Sequence, residues 1–227
     1  MRPEILFPLF APVSALKGVG PKIEPLVLKL AGPLVRDVLF LSPQGVIQRT
    51  VTTAAHAREG EVQTLQVKIE AHFPSPRQNL PWRIRAFDGT GFLTLVFFKG
   101  GSPHLQRQHP VGAERVVSGK VERFGGELQM AHPDYMVALE RAAEIPEVEA
   151  VYPATAGLSS RVIRKLALEA LERAPELPEW LDAAFLAREK FPAWREALVQ
   201  LHNPRSEADL QPLAVFRRRL ALSLIHI

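Results

Sequence analysis

With 227 residues, 47% of them hydrophobic, the chain is long enough to bury more than one core, so two or three modest modules are expected and disorder throughout is excluded. It has no cysteine, which excludes disulfides and thiolate metal sites and suits a reducing cytoplasm. The net charge of +4 suits a polyanionic partner.

The start, MRPEILFPLFAP, is broken by Pro8 and Pro12 and does not fit a signal peptide, and no stretch approaches 18 apolar residues. A soluble, cytoplasmic protein with no membrane partner is expected. Leu16-Lys17-Gly18-Val19-Gly20-Pro21-Lys22 has the form of a helix-hairpin-helix turn. Gly18 and Gly20 would allow a tight bend, N–H groups at the next helix start could hold a phosphate, and Lys22 would supply counter-charge. The alternative is a glycine turn joining two packed helices with no ligand. Ile23, Leu26, Val27 and Leu30 recur at helical spacing, and Leu34, Val38, Leu39 and Leu41 form a second apolar stripe.

From residue 61 the period changes to two. Leu65, Val67, Ile69, Ala71 and Phe73 alternate with polar residues, which predicts a half-buried strand with all five on one face. Trp82 to Phe87 alternates again, placing Arg83 and Arg85 on one face. Asp88-Gly89-Thr90-Gly91 is a turn needing positive φ, and it feeds a strand from Phe92 to Phe98. Leu93, Leu95 and Phe97 form one row and are expected in the core. Phe92, Thr94, Val96 and Phe98 form the other. This strand ends in Phe98, Lys99 and two glycines, the composition of a base-stacking platform; the alternative packs Phe98 beneath the segment 102–110, which reads as a loop. Between residues 71 and 111, Arg77, Arg83, Arg85, Lys99 and Arg107 stand against Asp88 alone. Positive charge is thus gathered around this strand.

Val116 to Phe124 is a fourth strand, and Gly125-Gly126 links it to a fifth beginning at Glu127. Five short antiparallel strands fit an oligonucleotide-binding (OB-fold) barrel, with Gly119 a bulge or corner residue; an SH3-like barrel fits the same pattern. Beyond residue 151 the pattern is helical. Ser159 and Ser160 can cap a helix that turns Val162, Ile163, Leu166, Ala170 and Leu171 inward, with Arg161, Arg164 and Lys165 on a solvated face. Pro178 and Pro192 are placed as first-turn prolines of two further helices, whose Trp180 and Trp194 are expected in the core. The fold class is therefore α+β, divided as a helical unit over 1–55, the barrel over 56–140 and a helical connector over 141–227.

The succession LKGVGPK, DGTGFLTLVFF, QMAHPDYMV and AVYPATAGLSSRVIRKLALEAL resembles the N-terminal part of the bacterial ATP-dependent DNA helicase family RecG, in one order from about Leu16 to Leu220. The resemblance implies that the barrel is a wedge domain splitting branched DNA, that Phe98 is the aromatic stacking on a base at the junction, and that 141–227 leads toward a helicase motor. The DNA-contacting set it and the charge pattern suggest is Phe98, Lys99, Arg83, Arg85, Arg77, Gly18, Gly20 and Lys22. Two departures stand out. Where the family often has Arg-Tyr-x-Asp-Arg, this chain keeps only Arg49 of residues 45–49, and a second stacking aromatic is replaced by Ser102.

No G-x-x-x-x-G-K-[ST] phosphate loop occurs in the sequence, nor an Asp-Glu pair of the Mg²⁺-binding kind. ATP and Mg²⁺ belong, on the resemblance, to the full-length family, and no cofactor is expected in this chain. The final residues 223–227 depart from the family and suggest a truncated piece with an unrelated end. No nucleophile triad or paired metal-ligand spacing is readable. The expected function is the branched-DNA-binding wedge of a recombination and repair helicase, acting as a monomer on forks and four-way junctions. Two other classes stay open: the helix-hairpin-helix and OB-fold region of a DNA ligase or nuclease, and a non-catalytic protein-interaction module.

Overall fold

The computed structural model describes residues 3–75, 80–98 and 103–225, without the side chains of Pro103 and residues 223–225. These residues form two compact units: Met1–Ile47 with Val148–Ile227, and Gln48–Glu147. The division read from the sequence, at 1–55, 56–140 and 141–227, gives way to this one because the first and last segments share a single apolar core. Leu16, Val27, Val38 and Leu39 from the N-terminal segment are buried in one cluster with Tyr152, Ile163, Leu166, Trp194 and Leu198 from the C-terminal segment.

In the helical unit, α1 (Glu24–Leu30) and α2 (Val35–Leu39) follow two short 3-10 turns, and β1 (Gly45–Gln48) closes the segment. The Asp37 carboxylate accepts the Leu34 N–H at 2.8 Å, which fixes the start of α2. The chain then enters the barrel unit and returns as β9 (Val148–Val151), which pairs with β1, and as the helices α4 (Ser160–Glu172), α5 (Ala183–Glu189), α6 (Trp194–His202) and α7 (Val215–Ile225). Ser159 caps α4 as the sequence predicts, and Ile163, Leu166, Ala170 and Leu171 are buried.

Pro178 and Pro192 do not open helices. Asp182 caps α5 instead, accepting the Phe185 N–H at 2.9 Å, and α6 starts only at Trp194. Trp194 is core, but Trp180 is 41% exposed, because it lies in a loop whose N–H groups at Trp180 and Leu181 are taken by the Glu179 carboxylate at 2.9 Å. Buried Arg219 pairs with Glu179 at 3.1 Å and lies 4.5 Å from the Trp180 ring, so the ring packs on a guanidinium and not among the apolar core side chains.

In the barrel unit, β2 (Thr50–Val51) precedes β3 (Val62–Phe73), β4 (Trp82–Phe87) and β5 (Phe92–Phe97); α3 (Pro103–Gln108), where the sequence reads as loop, leads to β6 (Glu114–Phe124), β7 (Glu127–Ala131) and β8 (Tyr135–Ala138). Strands β3, β4, β5, β7 and β6 pair in that order, and β6 returns to β3, which closes the five predicted strands into the OB-type barrel. Of these pairings β5–β7 is parallel rather than antiparallel, because α3 and β6 intervene and bring β7 alongside β5 in the same sense. Strands β2 and β8 extend the sheet. Leu65, Val67, Ile69, Ile84, Leu93, Leu95, Val117, Val121 and Met130 fill the interior. Gly125 and Gly126 have φ of 61° and 84°, the paired positive values a two-residue hairpin link needs.

Candidate nucleic-acid interface

The alternation of β3 breaks at Glu70. Ile69 pairs with Ala86 but Ala71 pairs with Arg85, so one extra residue is bulged out and every later side chain changes face. Ala71 and Phe73 therefore lie on the outer face, opposite Arg85 and Arg83, and not in the core as the uninterrupted period predicts. His72 turns toward the interior side instead. Its Nδ1 accepts the Trp82 indole N–H at 3.1 Å, so its Nε2–H donates to the His109 carbonyl at 2.7 Å. Arg115 donates to His109 Nδ1 at 3.1 Å, and burial, with Arg115 and His72 alongside, pushes the His109 imidazole down to about 4.

The outer face so formed carries Arg83 and Arg85 from β4, facing Val96 and Thr94 of β5. With Phe73, Phe92, Thr94 and Arg123 they line a groove of about 580 Å³. Phe73 is 51% and Phe92 49% exposed, so two large apolar rings border a basic surface. The Arg85 guanidinium lies 3.9 Å from the centre of the Phe92 ring. Phosphates can meet the arginines while bases lie on the rings, the combination used to hold single-stranded nucleic acid.

One rim of this groove is set by Asp88. Burial alone would raise its carboxyl, but N–H groups of Ala54, Thr90 and Gly91 and the Thr90 hydroxyl outweigh that and hold it below the usual carboxylate range. These bonds tie the Asp88–Gly91 turn, with Gly89 at φ 89°, to Ala54 and Ala55, which also line the groove.

At the end of β5, Phe98 is 59% exposed and stands outside the barrel core, as the stacking reading requires. Phe97, expected fully buried, is only partly so, because it packs at the edge of the core cluster with the His132 ring edge-on at 5.9 Å. Arg77 and Lys99 lie outside the described residues. Gly18 and Gly20 sit in an open turn where an added Cβ would meet nothing within 4 Å, and Gly18 has φ 92°. This turn does not follow an α-helix, however, since the element just before it is the 3-10 turn at Val13–Ala15. The N–H groups of Ile23 and Glu24 are spent on the Gly20 carbonyl at 2.9 Å and are not free for a phosphate, while the Lys22 side chain is exposed.

Phe73, Phe92, Arg123 and His132 were not singled out by sequence reasoning. A bulge leaves no mark in composition, so nothing announced Phe73; Phe92, on the same row as Phe98, could have been found from the alternation alone. Arg49, the remnant of the departed segment, is buried in the barrel unit and pairs with Asp134 at 3.0 Å. Among the described residues no cluster of His, Asp or Glu could hold a metal ion, and no helix is long and apolar enough to cross a membrane.

No family model matches the chain. Curated relatives do. It is 27% identical over 209 residues to the ATP-dependent DNA helicase RecG of Aquifex aeolicus (strain VF5), covering 86% of this chain and 26% of that protein. To the RecG of Acidithiobacillus ferridurans it is 27% identical over 219 residues, 92% of this chain and 30% of that one, and to that of Escherichia coli (strain K12) 28% identical over 220 residues, 89% and 29%. The chain thus spans less than a third of the length of these relatives. Among solved structures, RecG bound to a three-way DNA junction superposes with a TM-score of 0.76 at 24% identity, over 93% of this chain and 29% of that one. Sequence and fold agree over nearly the whole chain: it is RecG-like, an α+β chain built on an OB-fold barrel that resembles one part of those helicases.

Proposed function

We propose that this chain is the branched-DNA-binding wedge region of a RecG-like helicase of recombination and repair, working as a monomer in the bacterial cytoplasm. The observation that carries the reading is the barrel's outer face, where Arg83, Arg85 and Arg123 are interleaved with the exposed rings of Phe73 and Phe92 and lead along β5 toward exposed Phe98. The arginines bind phosphate without regard to sequence, and the rings accept any unpaired base. A fully paired duplex offers no free base, so an opened branch gains stacking that linear duplex cannot. Arg77 and Lys99, which follow Phe73 and Phe98 in the sequence, belong to the proposed DNA-contacting set, and Lys22, beside Gly18 and Gly20, supplies a separate phosphate contact in the helical unit. With no phosphate loop in its sequence, the chain binds DNA without hydrolysing ATP; ATP-driven work belongs to the longer relatives.

Titration of labelled fork, nicked duplex and linear duplex of matched length at several salt concentrations tests the proposal. Tighter binding to the fork, with affinity falling steeply as salt rises, is expected. Equal affinity for all three, or a preference for the nick, would contradict it and favour a ligase-like or nuclease-like region.

A further inference from the structure

Residues 132–134, His-Pro-Asp, join β7 to β8 and take no part in the groove, yet several barrel residues converge on them. The Asp134 carboxylate accepts from Nη1 of buried Arg49 at 3.0 Å, and the same nitrogen reaches the Ser118 hydroxyl at 3.0 Å. Ser118 in turn accepts from the Thr64 hydroxyl at 2.8 Å, and the Arg49 guanidinium lies 4.9 Å from the centre of the Tyr135 ring. Pro133 sits directly on β6, where a Cβ on Gly119 would come within 3.1 Å of the Pro133 Cα. Removing a guanidinium from water is costly, and a costly anchor placed under a short turn fixes that turn's position.

His132 is the residue so fixed. It has φ 45°, a left-handed conformation uncommon outside glycine, though histidine, like asparagine and aspartate, is enriched among the residues that adopt it. In that posture its backbone N–H donates to the Val96 carbonyl at 2.8 Å, and its Nε2 accepts the Phe98 N–H at 3.1 Å. Accepting at Nε2 places the imidazole proton on Nδ1 in the neutral ring, which leaves one donor for a ligand. The His132 ring is exposed, 5.7 Å from the Phe98 ring at an interplanar angle of 39°.

We infer that His132 is a second DNA-contacting ring, forming with Phe98 a two-ring seat for one unpaired base at the branch and holding the Phe98 backbone in place. This rests on the branched-DNA reading above. A turn required only to reverse the chain would be served at lower strain by glycine; the imidazole adds an acceptor for Phe98 and an exposed aromatic face beside it.

The test uses the whole 227-residue chain and a fork carrying 2-aminopurine at the first unpaired position. Wild type should quench the probe by stacking. His132→Asn, which tolerates the left-handed backbone but removes the ring, should weaken fork binding by about five- to ten-fold, reduce the quenching, and leave duplex binding unchanged. In the wild-type protein, which needs no variant to fold, the His132 ring resonances should shift upfield on adding fork and not on adding duplex. If wild type prefers fork and Phe98→Ala weakens it, but His132→Asn matches wild type and the His132 resonances stay still, the inference is overturned while the branched-DNA reading stands. If wild type shows no fork preference, that reading fails and the inference falls with it.

Discussion

The Arg85 guanidinium lies 3.9 Å from the centre of the half-exposed Phe92 ring, so one charge and one ring stand together in the lining of the groove. Arg85→Ala should remove one phosphate contact and lower the slope of log affinity against log salt by about 1, with fork and duplex both weakened. Phe92→Ala should weaken single-stranded and fork DNA more than duplex. Both side chains are solvent-facing, so melting temperatures should change little. A salt slope unchanged in Arg85→Ala would remove that residue from the interface.

Phe97 sits at the edge of the barrel core and is only partly buried. Phe97→Ala should therefore cost about 2 kcal/mol, below the roughly 3–5 kcal/mol of a fully buried phenylalanine. Urea denaturation followed by circular dichroism gives the value. A loss near the upper figure would mean that Phe97 is more central to the barrel than its exposure indicates.

In the helical unit His202 is fully buried. Its Nε2–H donates to the Leu39 carbonyl at 2.7 Å and its Nδ1 accepts the Tyr152 hydroxyl at 2.7 Å, joining the N-terminal and C-terminal segments. Burial pushes the imidazole down to about 4, despite the bond to Leu39, and pushes the Tyr152 hydroxyl up. Because the unfolded chain binds the His202 proton more readily, stability is fully present above about pH 6.5 and is lost as pH falls toward 4. The loss should reach on the order of 3 kcal/mol from this residue. His109 contributes in the same direction in the barrel unit. Melting temperature measured from pH 7.5 to 4 should fall, and His202→Gln should flatten that fall while lowering stability at pH 7.

Gly119 has no positive φ, yet a Cβ there would meet Met130 Sδ at 2.9 Å and the Pro133 backbone at 3.1 Å. Gly119→Ala should destabilise the barrel by about 1–3 kcal/mol through overpacking. Because the displaced backbone is that of the 132–134 turn, fork affinity of the folded variant should fall as well. Thermal melting and fork titration on the same preparation check both.

Much of this molecule is legible in its residues. The first three barrel strands follow from period-two alternation, the last two from a β-branched run and the Gly125-Gly126 link, and α4 from Ser159 and its apolar stripe. What escaped depends on contacts far apart in the chain. The bulge at Glu70 is set by how β3 meets β4, so Phe73 reads as core until that register is known. The shared core of the first and last segments cannot be seen from either alone, and Trp180 packs on Arg219, 39 residues later. Arg49 reads as the leftover of a motif, whereas its partner Asp134 is 85 residues away.

The central claim, that the barrel recognises an opened branch by stacking, is tested most directly by the ratio of fork to duplex affinity in Phe98→Ala against wild type. Phe98 is 59% exposed and outside the core, so its loss should leave the melting temperature nearly unchanged. Stacking one base is worth about 1–3 kcal/mol, so fork binding should weaken about ten-fold or more while duplex binding holds, and the ratio should fall toward one. An unchanged ratio in the folded variant would contradict the account.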